Sequence, residues 1–335
     1  MSDVALAVSP AVGERLGVVV IGRNEGERLR VCLASRPLRS PCVYVDSGST
    51  DDSLSIAAAA GAEIVSLDMA IPFTAARARN AGAARLFERH PDLDYLFFVD
   101  GDCEIVSSWP AAAIDFLDRR NDVVAVCGRR RERHPGASVF NRLCDLEWDT
   151  PVGQASSVGG DAIFRAAAWR SAGGYREDLI AGEEPELCVR LRDAGGIVWR
   201  LDQEMTLHDA AMARWSQWWN RNVRSGHAFA EGASLHGATT HRHFVAETRR
   251  ALAWGIALPL AIVVLGLLTP WALLLVLIYP IQWLRIGARV ARSGAPIPWR
   301  YAAFLVAGRF PEAQGVAKFW AGRLVGRRSK LIEYK

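Results

Sequence analysis

The longest uncharged stretch of the sequence is the feature that most restricts how this chain can fold. No Asp, Glu, Lys, Arg or His occurs in residues 251–284. A helix that crosses a bilayer needs about 20 mostly apolar residues, and Thr269-Pro270 near the middle of the stretch marks a break. The sequence therefore predicts two short membrane spans, residues 251–268 and 271–286. The alternative is a pair of helices buried in a protein core.

Basic residues flank this stretch on both sides. Arg249 and Arg250 precede it, and Arg285, Arg289 and Arg292 follow it. Since basic residues near membrane spans stay on the cytoplasmic side, both ends of the predicted hairpin are expected in the cytoplasm. The chain is thus predicted to be a multi-pass protein of the cell (inner) membrane with a cytoplasmic catalytic part.

The net charge of +4 conceals an uneven distribution. Residues 285–335 are strongly basic, so the remainder of the chain is acidic overall. Because these basic residues follow the apolar stretch instead of lining a domain, they fit anionic membrane lipid better than nucleic acid. Apolar and basic side chains alternate in residues 300–335, which predicts an amphipathic helix on the membrane surface. Trp215, Trp218 and Trp219, interleaved with arginines, predict another interfacial helix.

Cysteine usage and the first residues indicate a cytoplasmic compartment. The six cysteines show no CxxC pair or other metal-ligand spacing, which predicts reduced, mostly buried thiols. Residues 1–17 include charged side chains and no continuous apolar core of signal-peptide length. Export of the catalytic part is therefore not expected.

Strand-like and helix-like segments alternate before residue 211. Apolar runs at residues 17–22, 42–45, 63–67 and 96–99 read as strands, and polar loops and helical segments separate them. This repetition predicts an α/β, Rossmann-like fold with a mostly parallel sheet flanked by helices. Ligands of such sheets bind beyond the carboxyl ends of the strands.

Asp100-Gly101-Asp102 follows directly on the last of these runs. Two carboxylates at the end of a buried strand could hold Mg²⁺ or Mn²⁺ against a diphosphate. Asp and Gly are also ordinary turn residues. The tripeptide alone therefore leaves a simple turn as the alternative.

Two later segments also carry acidic groups. Residues 182–187 open a helix with Glu183 and Glu184, although the helix dipole alone favours acidic residues in a first turn. Gly159-Gly160-Asp161 predicts a close backbone approach followed by a strand. After a strand at residues 123–127, the basic cluster 129–133 is predicted to be a charged loop.

Five motifs occur in a fixed order along the chain. They are Val18-Val19-Val20-Ile21-Gly22-Arg23-Asn24-Glu25, Val45-Asp46-Ser47-Gly48-Ser49-Thr50-Asp51, Ala78-Arg79-Asn80-Ala81-Gly82, Val99-Asp100-Gly101-Asp102 and Gly182-Glu183-Glu184-Pro185-Glu186-Leu187. In this order they closely resemble the family 2 glycosyltransferases of GT-A fold. The resemblance covers residues 17–211. It implies a UDP- or GDP-linked sugar donor and a divalent cation, Mg²⁺ or Mn²⁺.

The resemblance also implies roles for individual residues. The implied nucleotide-sugar-binding residues are Asn24, Glu25, Asp46, Ser47, Asp51, Arg79, Asn80, Asp100 and Gly101. The implied metal ligands are Asp100, Asp102 and His208, although a lone His after a strand can equally be structural. Gly159, Gly160 and Asp161 are candidates for the acceptor edge, with a simple turn as the alternative. Glu184 is the expected general base, and Glu183 is the other carboxylate that could serve.

These roles predict an inverting transfer of a sugar to a lipid-linked acceptor, a polyprenyl-diphosphate glycan or a glycolipid. Some membrane-bound relatives carry Gln-x-x-Arg-Trp where this chain has Trp218-Trp219-Asn220-Arg221, so single transfer is expected instead of polymerisation. The alternatives are transfer to polyprenyl phosphate, a phosphatase of the haloacid dehalogenase type, and an inactive membrane scaffold. Glu104 stands where that phosphatase pattern would have Thr or Val.

The sequence thus predicts four segments. Residues 1–213 form the catalytic domain, 214–250 an interfacial helical segment, 251–288 the transmembrane hairpin, and 289–335 a basic amphipathic segment on the membrane surface.

Overall fold

The structure is a computed structural model, which describes residues 10–326. The chain divides into two compact units, Met1–Ala211 and Met212–Lys335. The last part of the predicted amphipathic segment, residues 327–335, lies outside the described residues.

The first unit contains one nine-stranded sheet within the described residues. Its strands are β1 Leu16–Gly22, β2 Cys42–Asp46, β3 Glu63–Ser66, β4 Tyr95–Asp100, β5 Cys103–Ile105, β6 Val123–Glu132, β7 Gly153–Gln154, β8 Ala162–Arg165 and β9 Ile197–His208. The order along the sheet is β3-β2-β1-β4-β8-β6-β9-β5, and β7 pairs with β9. The strands β3, β2, β1 and β4 are parallel, whereas β8 runs antiparallel to both β4 and β6.

Helices cover the sheet of this unit. They are α1 Pro10–Arg15, α2 Glu27–Ala34, α3 Ser53–Ala59, α4 Ala75–Arg89, α5 Trp109–Arg119, α6 Val139–Glu147, α7 Ala166–Ser171 and α8 Glu183–Asp193. Helix α4 comes close to the sheet at Gly82, where a Cβ atom would lie 2.4 Å from Val19 Cγ1 and 2.9 Å from Val45 Cγ2. The central strands are apolar throughout because both of their faces are covered. This architecture confirms the predicted α/β fold.

The predicted charged loop at residues 129–133 is wrong for most of its length. This segment was expected to be a loop, but β6 continues through Arg129, Arg130 and Arg131 to Glu132. Parallel pairing with β9 extends to the register Glu132↔His208, with bulges along the way. The ladder to β9 and the ion pairs of the arginine side chains hold these polar residues in a strand.

The second unit is helical in the part that the structure describes. It consists of α9 Trp215–His236, α10 Val245–Leu252, a π-helical turn Ala253–Ala257, α11 Leu258–Leu268, a 3₁₀ segment Pro270–Leu277, α12 Ile278–Arg292, α13 Pro298–Ala307 and α14 Arg309–Leu324.

Glycines bring α14 very close to α9. A Cβ atom on Gly226 would lie 1.9 Å from the Glu312 carbonyl oxygen, and one on Gly315 would lie 2.0 Å from the Val223 carbonyl oxygen. Small residues let two helix backbones approach in this way. The contact fixes the spacing of the two helices, since no larger side chain fits at either position.

The segment predicted as one amphipathic helix forms two, α13 and α14, which meet at Gly308. One face of α14 is buried in this unit, through Pro311, Glu312, Ala313, Gly315, Val316 and Phe319. The large apolar side chains of Phe310, Trp320 and Leu324 are exposed. Contact of these exposed side chains with a membrane stays a prediction.

Two helical stretches are long and apolar enough to cross a membrane, Val245–Leu268 and Pro270–Arg292. Only 6% of the most apolar window of each is buried, so the described residues do not form the buried core pair that was the alternative. Exposed apolar side chains at this density are unfavourable in water. Thr269, in an extended conformation, separates the two stretches.

Pro259 accounts for the π-helical turn that precedes it. Proline has no N–H to donate to the preceding turn, and interruptions of the hydrogen-bond ladder produce such turns. The Tyr279 hydroxyl donates to the Trp254 carbonyl oxygen at 2.6 Å. An unpaired carbonyl is costly in apolar surroundings. This bond therefore pairs the Trp254 carbonyl of the π-helical turn and joins the two apolar helical stretches.

Candidate active site

The loops that follow β1 and β2 are tied to each other. The Asn24 backbone N–H donates to Ser49 Oγ at 2.9 Å, and Asn24 Oδ1 accepts from the Thr50 N–H at 2.7 Å. Ser53 Oγ accepts from the Glu25 and Gly26 N–H groups at 3.1 and 3.2 Å. The predicted nucleotide-binding residues of the first two motifs therefore share one edge of the sheet.

Asp46 organises the loop after β2. Its Oδ2 accepts from the Gly48 and Ser49 N–H groups at 2.9 and 3.0 Å, which is an Asx turn. Ser47 is buried beside it and donates its N–H to the Gly22 carbonyl. Asp51 lies on the exposed side of the same loop. The structure thus brings Asp46, Ser47 and Asp51 together beside the β1 loop.

Asp100 lies between two arginines at the carboxyl end of β4. Arg79 Nη2 donates to its Oδ1 at 2.8 Å, and Arg130 Nη2 donates to its Oδ2 at 2.9 Å. Burial raises the pKa of Asp100, but the charges of Arg79 and Arg130 outweigh burial and hold that pKa below its usual range. Asp100 is therefore ionised, and the two guanidinium groups fix its orientation. Gly101 follows it and donates its N–H to the Ile21 carbonyl at 2.8 Å.

Asp161 contacts both Asp100 and Arg130 and so supports their arrangement. Its Oδ1 accepts from the Asp100 N–H at 3.1 Å, and its Oδ2 accepts from Thr206 Oγ1 at 2.7 Å. Arg130 Nε lies 3.1 Å from the same Oδ2. The side chain of Asp161 was a candidate for the acceptor edge, but it is fully buried. The structure gives it a supporting place instead.

Asp102 and His208 form the one group that could hold a metal ion within the described residues, together with Cys103. His208 Nε2 lies 3.4 Å from Asp102 Oδ1. Two ligands at about 2.1 Å from one ion and at a right angle are about 3 Å apart, so this separation suits adjacent ligands. His208 Nδ1 is buried without a hydrogen-bond partner. The carboxylate oxygen and the imidazole nitrogen fit Mg²⁺ or Mn²⁺.

The Cys103 thiol is a poorer ligand. Burial raises its pKa well above the usual value, so the thiol keeps its proton, which it donates to Asp161 Oδ2 at 3.2 Å. Hard cations such as Mg²⁺ prefer oxygen donors. Of these three grouped side chains, Asp102 and His208 are therefore the better candidate ligands.

Glu183 and Glu184 begin α8 and point to different partners. Glu183 Oε1 accepts from Arg79 Nη1 at 2.6 Å, so Arg79 joins it to Asp100. Glu184 Oε1 accepts from the Val158 N–H at 2.6 Å and from the Cys188 thiol at 3.1 Å. Burial raises the pKa of Glu184 to about 7. Glu184 is thus the carboxylate with proton affinity suited to accepting a proton near neutral pH.

The remaining candidates differ in their surroundings. Asn80 uses its amide on the loop that follows α7: Nδ2 donates to the Tyr175 carbonyl and Oδ1 accepts from the Tyr175 N–H, at 2.8 and 2.9 Å. A Cβ atom on Gly160 would lie 3.2 Å from Asp100 Oδ2. Gly159 has a φ of +85°, which glycine adopts without strain. Gly160 therefore lies beside Asp100, whereas Asn80 joins α4 to a loop.

Three residues of this site were not identified from the sequence. Arg130 and Glu132 were both assigned to a charged loop, and Thr206 belongs to none of the five motifs. A signal for Arg130 was available, because a basic residue that continues a buried apolar strand needs an acidic partner. Glu132 and Thr206 carried no local signal, since only the pairing of β6 with β9 brings them to the site.

The fold is an α/β sheet with a carboxylate-rich edge, where the predicted site residues gather. Residues 17–151 match the family model for glycosyl transferase family 2. A search of curated protein sequences finds no match. Residues 17–151 thus resemble a family 2 glycosyltransferase domain, as the motifs in that part of the chain predict.

Two solved structures share this fold. One is the mannosyltransferase PcManGT from Pyrobaculum calidifontis in complex with GDP-Man and Mn²⁺, which is 19% identical; the alignment covers 90% of this chain and 87% of that chain, with a TM-score of 0.61. The other is residues 1–349 of S. aureus TarS, which is 14% identical; the alignment covers 93% and 92% of the two chains, with a TM-score of 0.52. At these identities the similarity establishes the GT-A-like fold.

Proposed function

We propose that this chain is a metal-dependent, inverting glycosyltransferase that moves a sugar from a UDP- or GDP-linked donor to a lipid-linked acceptor at the cytoplasmic face of a membrane. One observation carries the proposal. Arg79 joins Asp100, beside the candidate metal ligands, to Glu183, beside the candidate base. Donor and acceptor functions thus meet around one buried arginine.

The donor side consists of the tied β1 and β2 loops and the Asp100–Asp102 turn. Asn24, Glu25, Asp46, Ser47 and Asp51 would hold the base and ribose. Asp102 and His208 would hold Mg²⁺ or Mn²⁺, consistent with the Mn²⁺ and GDP-Man bound to PcManGT. The bound ion would supply charge neutralisation to the departing diphosphate. Asp100, which both arginines hold ionised, adds negative charge beside this position.

Glu184 is the proposed general base. It removes the proton of the acceptor hydroxyl while that oxygen attacks the anomeric carbon from the face opposite the diphosphate. This single displacement inverts the anomeric configuration. A carboxylate with a pKa of about 7 is unprotonated often enough at neutral pH and still basic enough to accept the proton. Glu183, held by Arg79, fixes the start of α8.

The lipid-linked acceptor is proposed from the second unit. Two exposed apolar helices long enough to cross a membrane, flanked by basic residues, suit a bilayer with a cytoplasmic anionic surface. An enzyme anchored in this way shares the membrane with a polyprenyl-diphosphate glycan or a glycolipid. A single hairpin also suits single transfer better than extrusion of a polymer.

A donor screen tests the proposal. The full-length chain in detergent is incubated with a panel of UDP- and GDP-sugars and a short-chain polyprenyl-diphosphate glycan or glycolipid. Released nucleoside diphosphate and glycosylated lipid are both measured, with Mn²⁺ and with chelator. We expect one donor to be consumed only with metal, and loss of at least 100-fold in Asp102→Asn but not in the exposed control Asp115→Asn. Metal-independent turnover, or turnover of simple phosphate esters only, would overturn the proposal.

The hairpin is tested by fractionation. We expect the intact chain to stay in the membrane fraction through high salt and alkaline carbonate and to leave it only with detergent, because its apolar helices have no buried alternative within the described residues. Release by the alkaline wash would identify a peripheral protein and contradict two spans.

A further inference from the structure

Glu132 is a buried carboxylate at the end of β6, directly across the ladder from His208 at the end of β9. Its side chain is fully inaccessible to solvent. The reaction proposed above does not use it. A buried charge at this position requires a physical explanation, since an uncompensated carboxylate in a protein interior is costly.

Three hydrogen-bond donors fix this carboxylate. Oε1 accepts from the His134 N–H and from Asn141 Nδ2, both at 3.0 Å. Oε2 accepts from the Ala210 N–H at 3.0 Å. Among residues 10–326 no lysine or arginine nitrogen lies within 4.0 Å of either oxygen of Glu132. The basic group closest to it is the imidazole of His208, whose Nδ1 lies 3.9 Å from Oε2.

The His208 ring therefore has a different carboxylate on each side. Its Nε2 lies 3.4 Å from Asp102 Oδ1, and its Nδ1 faces Oε2 of Glu132. The indole of Trp148 contacts the ring edge to face, with 4.8 Å between the centroids. The ring is thus confined, and a shift of about 1 Å towards Glu132 would bring Nδ1 within hydrogen-bond distance.

We propose that Glu132 is a positioning residue that keeps the proton of His208 on Nδ1 and thereby directs the Nε2 lone pair to the metal shared with Asp102. The proposal rests on the metal site of the proposed function. An anion beside Nδ1 stabilises the tautomer with hydrogen there, and a carboxylate behind a metal-bound imidazole also makes the ligand more basic. Glu132 itself is not a ligand, because donors occupy its oxygens and it lies on the far side of the ring.

The Nδ1–H tautomer is tested directly in the wild-type chain. Full-length protein labelled with ¹⁵N at histidine is studied in detergent with saturating Mg²⁺, and long-range ¹H–¹⁵N spectra assign the tautomer of His208 by comparison with His208→Ala. We expect hydrogen on Nδ1. Hydrogen on Nε2 would overturn the proposal, and no variant of Glu132 is needed for that result.

Metal affinity provides the second test, with no turnover required. Titration of Mn²⁺, followed by the electron paramagnetic resonance signal of the free ion, gives the Kd for wild type, Glu132→Gln and Glu204→Gln. Glu204 is the matched control, because it lies on the same strand as His208 but is exposed and paired with Arg131. We expect Glu132→Gln to weaken Mn²⁺ binding by about 10- to 100-fold, with little change in the control.

The same Mn²⁺ titration in a His208→Ala variant shows whether Glu132 acts through His208. In His208→Ala, adding Glu132→Gln should weaken Mn²⁺ binding no further. An equal loss in both backgrounds, or unchanged affinity in Glu132→Gln, would overturn this inference and leave the metal site intact. Failure of the wild type to bind Mn²⁺ would overturn the metal site of the proposed function and this inference with it.

Discussion

The Asp100–Asp102 turn and the start of α8 place the same chemical group in opposite surroundings. Asp100 has a guanidinium on each carboxylate oxygen, and these charges keep its pKa below its usual range in spite of burial. Glu184 is buried among an amide N–H and a thiol, with no cation on it in the contacts described, and burial raises its pKa to about 7. One carboxylate is held as a permanent anion, and the other can exchange a proton.

This difference supports the division of roles in the proposed function. When two environments separate the pKa values of two carboxylates, the carboxylate with the lower pKa suits charge stabilisation and the one with the higher pKa suits proton transfer. Arg79 accounts for part of the difference, since it donates hydrogen bonds to Asp100 and Glu183 but not to Glu184. Adjacent glutamates at the start of one helix thus have different surroundings, because only the first contacts the arginine.

The largest expected effect is on turnover. Glu184→Gln keeps an acceptor for the Val158 N–H but cannot take a proton, so kcat should fall by about 10²- to 10⁴-fold. Wild-type kcat/KM should rise with pH through about 7, since the base acts when unprotonated, and the variant should lose this limb. The exposed control Glu88→Gln should behave as wild type. Near-normal turnover in Glu184→Gln would indicate an acceptor that is already ionised, as polyprenyl phosphate is.

A comparable effect is expected on folding when the shared arginine is removed. Arg79→Met removes the cation from Glu183 and leaves Asp100 with Arg130 alone, and breaking such a buried pair costs about 3–5 kcal/mol. The control Arg85→Met lies on the same helix but is partly exposed, so it should cost at most about 1 kcal/mol. Thermal unfolding measures both. Equal losses of stability in the two variants would show that the buried ion pairs of Arg79 contribute no more than the exposed ones of Arg85.

The smallest effect is a dependence of stability on pH. The pKa of Glu184 is raised from 4.5 to about 7 on folding, so its contribution to stability is full below pH 4.5 and is lost as the pH rises through 7. Glu184→Gln has no charge to bury and should gain stability over wild type at pH 8, by up to about 3 kcal/mol, but not at pH 4. Parallel pH dependence of Tm in both proteins would contradict a raised pKa.

The parallel part of the sheet could be predicted because its signals are local. Each strand from β1 to β4 is a short apolar run, and the polar residues that follow it lie at the edge where parallel strands end. The same logic predicts from the sequence alone that Asp100 and Asp102 lie at this edge. The two long apolar helices, which are long enough to span a membrane, could be predicted from composition alone.

The rest of the site depends on pairing between distant strands. Arg130, Glu132 and Thr206 come to the site through the pairing of β6 with β9, in which three register shifts change which side chains face the site. No period in the sequence reveals a bulge. Asp161 was found as a motif, but its burial under Arg130 depends on an arginine that the sequence pattern assigned to a loop.

The glycine contact between α9 and α14 has a consequence for biosynthesis. Gly226 and Gly315 lie on helices that are separated in the chain by the whole apolar hairpin. Because α14 is synthesised after α9 and after the apolar stretches between them, α9 emerges with its glycine face uncovered until α14 has been made. The contact between α9 and α14 can therefore form only after both long apolar stretches have already been made.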